Sequence, residues 1–150
     1  MGILYRAECS RCGEGPTLKL EDRLDLLDLQ ALYGHILDRR EWERLGEIYT
    51  EDAVFDATSV GIPVMSGLSS IREALVPLEE SGVTLAHHST NAVLVEATDT
   101  TARMLSKYIA HHLTASVAYG EYEDELVKLR EGWRIRRRTA RRIALGNEQA

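Results

Sequence analysis

Four of the five histidines in this 150-residue chain come as adjacent pairs, His87-His88 and His111-His112. One aspartate, Asp38, sits where a helical pattern of apolar residues breaks and restarts. A carboxylate hydrogen-bonded to an imidazole fixes the tautomer and raises the basicity of the ring, which then removes a proton near neutral pH. Asp38 with His88 is the pair expected to do this. The pattern around them offers no obvious serine or cysteine nucleophile, which favours proton abstraction over acyl transfer. Two histidines and an aspartate also compose a facial triad for a metal. Adjacent histidines on a strand point to opposite faces, however, and do not chelate one ion together, so no metal or other cofactor is expected. Blander roles stay open: Asp38 as a solvated turn residue or helix N-cap, and each histidine as a hydrogen-bonded polar residue at a strand end.

The same alternation gives each pair one histidine for the concave side of a sheet. His112 shares a face with Ala110, Tyr108 and Ser106, and His111 with Ile109 and Lys107. The first set, small and polar-tipped, suits a pocket better. Tyr33 precedes Asp38 by five residues, about 7.5 Å along a helix axis. Its phenol is placed either to donate to a developing oxyanion or to pack in a helix–sheet core.

The elements that must hold these residues follow from apolar periodicity. Leu20, Leu24, Leu27 and Ala31 mark a helix over 18–37, and Trp42, Leu45 and Ile48 a second over 39–49. A short strand is expected over 53–56. Ser70 and Glu73 match a capping box, opening a third helix that runs to about residue 80. After Gly82 the pattern becomes that of strands, over 86–97, 101–118, 121–130 and 133–144, with turns at Asp99, Gly120 and Glu131-Gly132. Helices first and strands later give an α+β fold, a curved antiparallel sheet packed on three N-terminal helices, with a pocket on its concave side.

Composition excludes several classes. A hydrophobic fraction of 44% and a charged fraction of 28% suit one globular domain. The apolar runs are too short to span a bilayer. With no signal peptide in view, the chain is expected in the cytoplasm. A net charge of −6 argues against nucleic acid as a partner. The basic stretch WRIRRRTARR, which contains Arg138 and Arg142, is expected to pair across a hairpin with the acidic Glu121, Glu123, Asp124 and Glu125. Residues 1–17 read as a flexible leader carrying Cys9 and Cys12 as reduced thiols, and 18–150 as the single domain. The convex sheet face calls for a cover, hence a homodimer or homotrimer.

Taken together, YGHILDRREWERLGEIYTEDAVFD, GLSSIREAL, AHHSTNAVLVE and YEDELVKLREGWRIRRR resemble the SnoaL-like family of the nuclear-transport-factor-2-like superfamily, over about residues 21–145. The likeness is to its scytalone dehydratase and bile-acid 7α-dehydratase branch. It implies a cone-shaped α+β barrel and a cofactor-independent lyase or isomerase, dehydratase- or cyclase-like, acting on a small hydrophobic oxygenated molecule. It also implies site residues: Asp38, followed by Trp42, as the family aspartate; His88 at the start of the strand after the third helix; His112 on the next strand; Tyr33 five residues before the aspartate; and Arg142 nine residues after Trp133. Leu37 and Ala57 stand where scytalone dehydratase has tyrosines, so that substrate does not carry over. The family also holds non-catalytic ligand-binding or assembly domains and dioxygenase β subunits.

Overall fold

A computed structural model describes residues 18–143, and the expected leader with Cys9 and Cys12 lies outside the described residues. Helix α1 spans Leu20–Arg39. Glu21 and Asp22 in its first turn and Arg39 in its last complement the helix dipole. It stops at Arg40, which is left-handed (φ 57°, ψ 36°) and turns its N–H back to the carbonyls of Ile36 and Leu37.

The apolar stripe that marks this helix in the sequence is its outer one. Leu20 is 68% and Leu24 53% exposed. The buried stripe is Leu26, Leu29, Tyr33, Ile36 and Leu37, and it is disguised by Asp22 and Gln30, which are buried with it. Both polar residues have partners: Trp133 donates its indole N–H to Asp22 at 3.0 Å, and Gln30 donates to Asp124 at 2.6 Å.

Beyond Arg40 the expected second helix is a short 3-10 helix, Trp42–Glu47. It ends early because Tyr49 already opens strand β1, Tyr49–Asp56, opposite Ile135 of the last strand. Strand β2 is Met65–Ser66. Helix α2, Leu68–Glu80, begins two residues before the capping box: Gly67, at φ 88°, precedes it, and Ile71 N–H bonds to the Gly67 carbonyl at 3.0 Å. Then come β3 Thr84–Ala97, β4 Thr101–His112, β5 Val117–Leu129 and β6 Gly132–Arg142. The expected turn at Gly120 is instead at Leu113–Ser116, closed by His112 N–H on the Ser116 carbonyl at 3.0 Å. Gly120 lies within β5, opposite Tyr108. A Cβ there would stand 2.5 Å from the Tyr108 phenol ring, so the glycine gives that ring its place.

The sheet order is β2-β1-β6-β5-β4-β3. The meander β3 to β6 is antiparallel, as expected, but β1 joins β6 in parallel, so the sheet is mixed. It curls without closing around α1, which packs on β3 and β6, while α2 covers β1 and β2. No described helix is long and apolar enough to cross a membrane.

The expected charge pairing across the β5–β6 hairpin is present, in two kinds. On the outer side, Arg141 meets Glu123 at 3.1 Å. On the inner side, Arg138 and Asp124 are buried and joined by two bonds of 2.8 Å. Arg138 also donates to Gln30 at 3.0 Å, and its guanidinium lies 4.4 Å from the Tyr33 ring centroid and 4.1 Å from that of Tyr122. Removing one partner of such a pair strands a buried charge, at a cost of about 3–5 kcal/mol. Arg138→Met should therefore lose stability of that order by chemical denaturation. Arg138→Met with Asp124→Leu should recover part of it.

Candidate active site

The C-terminal half of α1 carries the site because two residues one turn apart, Gly34 and Asp38, share the face it turns to β3. A Cβ on Gly34 would stand 2.8 Å from the His87 carbonyl oxygen. Helix and strand are therefore nearly in backbone contact, and Asp38 reaches the next peptide group. Its carboxylate accepts the His87 backbone N–H at 3.0 and 3.2 Å and meets the His87 Nδ1 at 2.8 Å. On the other side of the ring, Nε2 lies 3.4 Å from a carboxylate oxygen of Glu79, in the last turn of α2. The Glu79 side chain is 7% exposed, that of His87 14% and that of Asp38 27%.

Arg40 ties the two helix ends together. Its guanidinium donates to the Asp38 carbonyl at 3.3 Å and to the Glu79 carbonyl at 3.2 Å. The elements delivering the two carboxylates are thus held by one side chain. Burial alone would pull the His87 imidazole below its ordinary value. Hydrogen bonds and charge from Glu79 and Asp38 outweigh burial and leave it raised.

The histidine that meets Asp38 is therefore His87, not His88. His87 stands opposite Ala110 on the inner face of β3 and β4, and His88 opposite Ile109 on the outer. There the His88 ring packs edge-on against His111, with centroids 5.4 Å apart. Counting back from Val95-Glu96 crosses register shifts at Leu94/Glu96 and Thr90/Val93. Each extra residue in a strand reverses which side chains face inward.

The remaining expected residues lie apart from this contact. His112 ends β4 on the inner face with Tyr108 and Ala110, opposite Thr84, and its Nδ1 is buried without a partner. Tyr33 points away from Asp38, since five residues advance a helix by about 140° beyond a full turn. It is buried in the core between Tyr49 and Tyr122, edge-on to both, where burial raises its hydroxyl far above the usual range. Arg142 is exposed at the end of β6, with its backbone N–H on the Ser59 hydroxyl at 2.7 Å. Its charge partly offsets the rise that burial gives Tyr108.

Glu79 escaped the sequence analysis although a signal exists. Leu68, Ile71, Leu75 and Glu79 are the buried residues of α2, so an acid continues an apolar stripe at helical spacing. A buried carboxylate in such a stripe implies a partner.

A profile described as a SnoaL-like domain matches residues 18–139. The chain belongs to the SnoaL-like family. Three solved structures, all from Novosphingobium aromaticivorans, resemble this SnoaL-like chain. A protein assigned as an aromatic ring hydroxylase is 26% identical with a TM-score of 0.75, over 86% of this chain and 94% of its own. One assigned as a scytalone dehydratase is 21% identical with a TM-score of 0.71, over 83% and 86%. A nuclear-transport-factor-2-like protein with a cystatin-like fold is 22% identical with a TM-score of 0.72, over 85% and 86%. These agree with the cone-shaped α+β fold of the SnoaL-like domain. No curated protein matches the chain.

Two outcomes follow for this SnoaL-like site. Gly34→Ala adds a Cβ where the His87 carbonyl stands, and overpacking of this kind costs about 1–3 kcal/mol. A lower melting temperature is expected, although alanine is the better helix former. The second concerns pH. A histidine whose folded value is raised above its unfolded one adds stability that is complete below the unfolded value, about 6.5, and is lost as pH rises through the folded one. The stability advantage of the native chain over His87→Gln should accordingly be larger at about pH 5 than at about pH 8, as read by denaturant titration.

Proposed function

We propose that this SnoaL-like domain is a cofactor-independent lyase or isomerase, in which the Asp38–His87 pair moves a proton on a small, hydrophobic, oxygenated substrate. The observation that carries the reading is the double contact of Asp38 with both the backbone N–H and the Nδ1 of His87. A carboxylate in that position holds Nδ1 protonated and the ring fixed, leaving Nε2 as the working nitrogen. His87 takes the proton from a carbon next to a carbonyl, and the negative charge moves to the carbonyl oxygen. A donor to that oxygen, or to a leaving hydroxyl, is drawn from His112 or Arg142, while Tyr33, turned into the core, serves packing. Dehydration, isomerisation and ring closure all begin with this step.

Self-association as a homodimer or homotrimer belongs to the same reading. It is supported by exposed apolar residues on the outer sheet, Val93, Val117 and Tyr119, and sedimentation of the purified chain tests it. In the competing reading, an assembly domain of the same fold or a β subunit beside a large oxygenase, the pair would serve packing alone.

Exchange of substrate protons with solvent deuterium separates these readings without knowledge of the natural substrate. Cyclic ketones and β-hydroxy ketones serve as probes. The native chain should speed exchange at the carbon next to the carbonyl. Asp38→Asn and His87→Gln should lower the rate at least about 100-fold, the scale of general-base catalysis, whereas His88→Gln should leave it unchanged. Equal rates in the native chain and His87→Gln would sink the proposal.

A further inference from the structure

The geometry points to Glu79 as the proton partner of His87: before the ring acts as a base, its Nε2 proton passes to the Glu79 carboxylate. This rests on the Asp38–His87 reading and adds a third residue to it, one that takes a proton from His87 and gives it up to the leaving group.

Three observations support the assignment. First, both ring nitrogens face carboxylates, Nδ1 that of Asp38 and Nε2 that of Glu79. A neutral ring has only one N–H, so a ring donating to both sides is an imidazolium. An imidazolium has no free electron pair and cannot remove a proton from carbon. Second, Glu79 is buried, and among the described residues its side chain has no hydrogen-bond or ion-pair partner besides His87. A buried carboxylate is costly unless an opposite charge meets it. Third, the two contacts are unequal. The Asp38 side is a full hydrogen bond at 2.8 Å, backed by the His87 N–H, whereas the Glu79 side is longer, at 3.4 Å. Asp38 holds the ring, and Glu79 makes the exchangeable contact.

The transfer is balanced. The Nε2–H bond breaks, its electron pair stays on nitrogen, and an O–H bond forms on Glu79. A cation and an anion become two neutral groups, with Asp38 still anionic and no co-reactant needed. His87 is then free to take a proton from carbon, and the Glu79 carboxylic acid holds a proton for a departing hydroxyl. When both have acted, the imidazolium and the carboxylate are restored. The charged groups around the ring are Asp38 from α1, Glu79 from α2 and Arg40, which binds the backbone carbonyl of each. From β4 the facing residue is Ala110, and His88 and His111 lie on the other face.

The test is nitrogen-15 NMR of the His87 ring in the full chain, from about pH 5 to 9, assigned by its loss in His87→Gln. In the native chain both ring nitrogens should be protonated at neutral pH, with the midpoint above the ordinary value. Glu79→Gln keeps the shape but removes the charge, and should move the midpoint down by about one pH unit or more. Glu79→Asp, which keeps the charge farther away, should fall between. A native ring that is already neutral at pH 7 with Nε2 bare overturns the proposal, even if no variant folds. An unchanged midpoint in Glu79→Gln overturns it as well. Both results are independent of turnover. Deuterium exchange that survives His87→Gln would defeat the catalytic reading of the pair, and an unchanged midpoint beside lost exchange would defeat the role of Glu79 alone.

Discussion

A guanidinium cannot be buried without acceptors and electron-rich faces around it, and Arg138 draws them from three elements. Asp124 and Tyr122 come from β5, Gln30 and Tyr33 from α1, and Tyr49 from β1, at a centroid distance of 6.0 Å. The register of the β5–β6 hairpin is set by the Asp124–Arg138 pair. The rotation of α1 about its axis is set by Gln30 and Tyr33, which must both face inward. With that rotation fixed, Gly34 and Asp38 turn toward β3. The position of the proposed proton-transfer pair therefore depends on an ion pair in the core that has no part in the chemistry.

The charge around His87 follows from helix ends rather than from the sheet. An anion near a helix C-terminus faces the partly negative carbonyl end. Asp38 and Glu79 both lie in such last turns. Hydrogen bonds from His87 offset the repulsion on Asp38, and the guanidinium of Arg40 takes up a carbonyl at each helix end. Arg40 can do this because it caps α1 in a left-handed conformation, one that L side chains adopt at some cost.

Much of this was legible in the sequence. The α+β class, the antiparallel meander and the acidic–basic hairpin follow from alternation and charge, and Asp38 stood out by its place at a helical break. What was not legible has physical causes. The buried face of α1 was hidden because Asp22 and Gln30 are polar residues inside it. The parallel β1–β6 pair joins segments far apart in the chain, and no local pattern signals it. Gly120 reads as a turn residue, and only the Arg141 carbonyl and the Tyr108 ring crowding the place of a Cβ explain a glycine inside a strand. His87 and His88 could not be separated because strand parity is lost at a bulge, which sequence spacing does not register. Glu79 is charged, and only its place in the buried stripe of α2 sets it apart from the neighbouring Glu80.

The ring of Tyr108 rests on bare backbone at Gly120, with the Arg142 cation nearby. The shape of the inner face at this end of the sheet is consequently governed by a residue with no side chain, on a neighbouring strand. A methyl group at position 120 would run into the Arg141 carbonyl oxygen and stand 2.5 Å from the Tyr108 ring, so both the ring and the β6 backbone would have to shift. The missing side chain is thus what lets two strands and an aromatic ring close over one another.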